Sequence, residues 1–130
     1  MADLTRKELV IALISSGEKP RLARLDLAGL DMSGLALYGA DLTGANLQEC
    51  SLTGAILDGA TMIDADLRGA DLKDCSLVDT DLSRARLSGC LLAGANFSGA
   101  NLSDANLNGS EKSEANFEGA NTTGCVGGPT

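Results

Sequence analysis

Four cysteines, Cys50, Cys75, Cys90 and Cys125, and a run of carboxylates in "DADLRGADLKD" (64–74) are the side chains of this 130-residue chain with the widest chemical range. Cysteines could ligate zinc, pair as disulfides or supply a nucleophile, and grouped Asp could hold a hard cation. Their spacing argues against each. The cysteines are separated by 25, 15 and 35 residues, no CxxC pair occurs, and there is no histidine. Without His, the Ser-His and Cys-His pairs are excluded, together with the commonest general base and metal ligand. No enzymatic activity, metal or cofactor is expected.

The cysteine separations are all multiples of five, and that number governs the chain. From Leu22 onward every fifth residue is apolar, through Leu27, Met32, Leu37, Leu42 and so on to Leu102 and Leu107; the series then meets Lys112, returns to Phe117 and ends at Thr122. Two residues before each of these centres stands a small or apolar residue, mostly Ala, and two after it stands Gly in most units. On a helix a period of five scatters the centres around the cylinder, and on a flat strand it alternates their faces. The chain must therefore turn once per unit, with the centre and the residue two before it inward, their neighbours outward, and Gly at the corner. The expected fold is an all-β solenoid with a continuous interior.

Composition agrees with that reading. The chain is 44% apolar but only 2% aromatic, so Leu, Ala and Gly must fill the core by regular stacking. Cys50, Cys75, Cys90 and Cys125 all fall at the small inward position and are read as buried fillers. Asp64, Asp66, Asp71 and Asp74 fall at outward positions, no GGxGxD pattern accompanies them, and they are read as solvated surface charge.

Units such as "ADLTG" (40–44), "ANLQE" (45–49), "ADLRG" (65–69) and "ANFSG" (95–99) resemble the A(D/N)LXX consensus of pentapeptide repeat proteins over residues 20–124. The chain is similar to short cyanobacterial members with an N-terminal helical cap. The resemblance implies a right-handed quadrilateral β-helix with four units per coil, here about five coils. At about 4.8 Å per layer the rod is on the order of 25 Å long. The division expected is a capping helix and linker at 1–19, the β-helix at 20–124 and a tail at 125–130. For the cap, Thr5 and Glu8 form a capping box, Leu4 and Leu9 a staple, and Gly17 a stop. Leu9, Val10, Leu13 and Ile14 would then lie on the first coil, where Leu25, Leu30 and Leu35 replace Ala and broaden the apolar floor.

The formal net charge of −8 opposes direct nucleic-acid binding. Residues 1–24 carry five basic and three acidic groups, and the remainder five and fifteen. No apolar run is long enough for a transmembrane helix, and "LVIALI" (9–14) lacks the cleavage site of a signal peptide. A cytoplasmic chain without membrane contact is expected; a cleaved lumenal or periplasmic chain would read the same.

Function is expected at the surface. The outward residues Ala36, Tyr38, Ile56 and Val78 fall on the fourth face, and Leu91 and Ala93 on the third; these apolar positions are the candidate partner surface. The expected role is a non-enzymatic structural or protein-interaction module, a monomer or one that associates weakly end to end through the carboxy-terminal coil. The resemblance also supplies an alternative, since some similar proteins are acidic rods that mimic DNA and protect type II topoisomerases from quinolones. Those are longer and dimerise through a carboxy-terminal module, whereas this chain ends in "GCVGGPT" with its carboxylates dispersed over all four faces.

An ammonium inside the rod would be costly. Lys112, however, would belong to the last coil on its face, its stem over Leu92 and its ammonium in water within reach of Glu111 or Glu114. Lys112, Phe117 and Thr122 are read as the carboxy-terminal cap, with Phe117 covered by the 123–130 segment or by a second molecule.

Overall fold

A computed structural model describes residues 5–16 and 19–129. The element order is one helix, α1 (Arg6–Ser16), followed by a coil in which every five residues form a bridge and a tight turn. Residue i is bridged in parallel to residue i+20, from Arg21–Asp41 through Asn106–Val126. Four units therefore make one coil, and four ladders run along the rod, beginning at Arg21, Asp26, Asp31 and Ala36.

One unit shows why the repeat takes this form. Asp41 N–H donates to Pro20 in the coil below (2.8 Å), and Leu42 and Gly44 donate to Thr61 and Ile63 in the coil above (2.7 and 2.9 Å). Ala45 N–H closes the corner onto Leu42 O (3.0 Å), with Gly44 at φ 66° in the third position of the turn. The remaining donor, Thr43 N–H, is taken by the Asp41 side chain (3.1 Å). All five backbone donors of the unit are satisfied, the last by the Asp or Asn of the consensus.

That side-chain bond recurs in thirteen units, from Asp26 to Asn121. The outward Asp/Asn column is thus an acceptor column as well as a charged surface. The corner likewise has a fixed conformation: Arg24, Glu49, Asp64 and Glu114 stand where other units place Gly, and each has φ near 60°.

Centres from Leu22 to Leu107 are buried in one core together with the inward Ala residues from Ala40 to Ala105 and Cys50, Cys75 and Cys90. Burying each Leu contributes about 1.5–3 kcal/mol before the entropy of ordering is set against it. At the amino end the capping box is reciprocal, with Thr5 N–H donating to Glu8 Oε1 and Glu8 N–H to Thr5 Oγ1, both 3.1 Å. Leu9 is fully buried in the core, and Leu13, Leu25 and Leu35 pack against it partly buried. Arg6 fastens α1 sideways by donating to Asp31 O (2.7 Å) and Ser33 O (3.1 Å). The Leu4 staple, the Gly17 stop and the Ile14 side chain lie outside the described residues.

The carboxy end differs from expectation in two respects. Val126 bridges Asn106, so the second ladder continues into the segment read as a tail. The Lys112 ammonium turns back to Ser110, donating to its carbonyl (3.2 Å) and hydroxyl (3.4 Å), and from there its charge still acts on the Glu111 carboxylate. Ser110 is two residues away, within reach of a long side chain.

Candidate functional site

The ladders decide which of the outward apolar residues meet. Ala36 and Ile56 are bridged neighbours, so they stack on the fourth face. Tyr38, 56% exposed, follows Ala36 by two residues and lies on the same face, which gives a local apolar patch at the amino-terminal half of the rod. Val78 shares the column of Tyr38 but is separated from it by Asp58. That carboxylate reaches up one coil, accepting from the Ser76 hydroxyl and from Val78 N–H (3.3 Å). Leu91, 41% exposed, and Ala93 lie on the third face, apart from this patch.

The patch carries a polar signature as well. With Ala36 and Ile56 in place of Asp or Asn, no side chain at those positions can accept from Tyr38 N–H or Asp58 N–H. Two apolar residues and two backbone donors therefore face outward together. A shallow apolar groove of about 250 Å³, lined by Val10, Leu13, Leu35 and Ala36, continues the patch toward α1.

Cys50, Cys75 and Cys90 are buried, and Cys125 is partly so; all four thiols are free. Burial pushes the Cys50 thiol up to about 11 and those of Cys75 and Cys90 up to about 12, which keeps them neutral and unreactive. Cys50 and Cys90 donate to the carbonyls of Leu27 and Leu67 (2.8 and 2.9 Å). Thr80 makes the equivalent bond to Leu57 O (2.9 Å), so the inward position accepts any small donor.

Among the described residues no three Asp, Glu or Cys side chains are grouped to hold a metal ion. Three carboxylates of the dense acidic run, Asp64, Asp66 and Asp71, are paired with cations instead. Arg84 grips Asp64 (2.8 and 3.2 Å) and Arg68 grips Asp66 (2.9 and 2.6 Å), and these bonds hold both carboxyls below their ordinary range. A groove of about 430 Å³ beside these pairs is lined by Arg68, Arg84, Arg86, Ser88, Asp104 and Asn106. Sequence reading passed over it, although the arginine at position 86 of the Asp/Asn column was its visible signal.

At the carboxy end Lys112, Phe117 and Thr122 are each half-buried. Phe117 stacks on Phe97, and Leu92 beneath Lys112 is fully buried. No helix among the described residues is long and apolar enough to cross a membrane.

The family model for pentapeptide repeats (8 copies) matches residues 36–74 and 75–111, more than half of the chain. The solved structure of the pentapeptide repeat protein Rfr23 from the cyanobacterium Cyanothece 51142 is similar at 33% identity, with a TM-score of 0.69 over 70% of this chain and 63% of that one. A trypsin-treated form of QnrB1, a plasmid-mediated fluoroquinolone resistance protein, is similar in fold at 20% identity, with a TM-score of 0.56 over 83% of this chain and 68% of that one. A pentapeptide repeat protein of the Arabidopsis thaliana thylakoid lumen is 39% identical over 77% of this chain and 63% of that one, with a TM-score of 0.34. This chain thus spans just under two thirds of the Rfr23 and Arabidopsis structures. No curated protein matches. On the family match and the five-residue, four-unit coil, the chain belongs to the pentapeptide repeat family.

Proposed function

We propose that the protein is a non-enzymatic interaction module: a right-handed four-sided rod, capped by α1, that presents its fourth face to a protein partner. The observation that carries this reading is the break in the acceptor column at Ala36 and Ile56. Those two positions place apolar side chains beside exposed Tyr38 together with two backbone donors that have no protein acceptor among the described residues, a combination that a protein surface with its own carbonyls would complement. The proposed setting is the cytoplasm, in keeping with four free cysteines. The proposed state is a monomer, or one joined weakly end to end at Phe117.

A second reading, a DNA-mimicking protector of a type II topoisomerase, draws on the net charge of −8 and the dispersed outward carboxylates. Several of those carboxylates are neutralised by Arg68, Arg84 and Lys73, which weakens the phosphate-like field the reading needs. A gyrase supercoiling assay with added purified protein separates the two. The interaction-module reading expects no inhibition at micromolar protein; inhibition with a measurable complex would overturn it in favour of the mimic.

A further inference from the structure

We propose that the second face carries an oxyanion-binding site, built on Arg86 and Ser88 and flanked by Arg68 and Asn106. It lies apart from the fourth-face patch and does not depend on it.

The site arises from one substitution in the acceptor column. After residue 25 the outward position before each centre is acidic, amide, hydroxyl or apolar, and Arg86 is the single cation there. Where Asp66 stands one coil below, its oxygen accepts from Arg68 N–H (3.2 Å). Where Asn106 stands one coil above, its oxygen accepts from Asn108 N–H (2.9 Å). Between them Arg86 has no acceptor to offer, and among the described residues neither Ser88 N–H nor the Ser88 hydroxyl has a partner. The Arg86 guanidinium makes no direct hydrogen bond or ion pair among the described residues, although its charge acts on the Asp66 carboxylate one coil below, which Arg68 already grips. The groove therefore concentrates donors where neighbouring units supply an internal carboxylate or amide oxygen.

Three of the five basic residues in 25–130 line this one groove, in a segment with fifteen acidic residues. The nearby carboxylates do not fill it. Asp66 is held by Arg68 and Asp64 by Arg84, while Asp104 lies at the groove edge near Arg84. An external oxyanion would replace the missing column oxygen, accepting from Ser88 N–H and hydroxyl while pairing with the planar fork of Arg86. Phosphate and carboxylate share this chemistry, and phosphate carries the greater charge.

The test is an amide and guanidinium NMR titration of the intact protein with inorganic phosphate, and separately with acetate, at ionic strength matched with chloride. The expected result is a saturable millimolar shift of Ser88 N–H and Arg86 Nε that chloride does not produce. A response to phosphate alone assigns a phosphate source, and a response to both adds carboxylates; each supports the site. Arg86→Asn rebuilds the internal acceptor without stacking a second carboxylate on Asp66, so it should weaken phosphate binding at least about tenfold while leaving the protein folded. If Arg86→Asn disturbs folding, Arg86→Gln should weaken binding in the same direction. Absence of a Ser88 response to either anion, or unchanged affinity in the variants, overturns the site.

Discussion

The ring of Phe117 lies on the ring of Phe97 with centroids 4.9 Å apart and planes 2° from parallel. The two are one coil apart on the fourth ladder, Phe97 fully buried and Phe117 half-buried. Phe97→Ala should cost about 3–5 kcal/mol, in the range of buried aromatic deletions, and Phe117→Ala about half as much. Urea unfolding monitored by circular dichroism measures both; equal losses would show that Phe117 is covered as completely as Phe97.

The acceptor column contributes stability unit by unit. Asn101 Oδ1 accepts from Ser103 N–H (3.0 Å), and Asn101→Ala would leave that donor to water or to none. A loss of about 1 kcal/mol is expected. Amide exchange at Ser103 should accelerate with it, and an unchanged exchange rate would contradict the assigned role.

Corner conformation sets a second, opposite lever. Glu114 holds φ 59°, a region that disfavours a side chain by about 1–2 kcal/mol. Glu114→Gly should therefore raise stability, by less than that amount because Gly gains entropy in the unfolded chain. A lower unfolding midpoint would show that Glu114 makes a compensating contact.

Stability should fall at both extremes of pH. Asp31 and Asp41 are held below the ordinary carboxyl value by bonds from Ser33 and Thr43, Asp64 and Asp66 by Arg84 and Arg68, and Glu111 by Ser113. The folded state therefore favours the charged form. This contribution is present above the unfolded values of 3.8 for Asp and 4.5 for Glu, and is lost as pH falls through the lowered folded values. The buried thiols act in the opposite direction: Cys75 and Cys90 rise from 9.0 to about 12, so their contribution is present below pH 9 and lost as pH rises toward 12. Urea midpoints should be level around neutrality and decline as pH falls below the unfolded carboxyl values or rises above 9.0, and Cys75→Ala should flatten the alkaline limb.

Much of this architecture was legible in the sequence because burial follows the five-residue period. The centres from Leu22 to Leu107, the inward cysteines and the Thr5–Glu8 box are all local patterns, and the core contains them where the period puts them. The four-unit coil came from resemblance, since a five-residue period does not specify how many turns close a circuit. What stayed hidden depends on contacts between coils. Asp58 divides Tyr38 from Val78 by reaching twenty residues ahead to Val78 N–H, and Lys112 donates its hydrogen bonds to Ser110, a partner the repeat pattern did not name. The acceptor role of the Asp/Asn column was also unread, because it appears only once the other four backbone donors of a unit have been assigned.

The central claim is that the fourth-face break is a binding surface, and affinity capture from the native host tests it most directly. Wild-type protein is compared with Tyr38→Asp and Ile56→Asp. The second change restores a consensus acceptor and should leave the fold at least as stable. Loss of the same captured partner with both variants is the predicted result; a captured set unchanged by either variant would contradict the account.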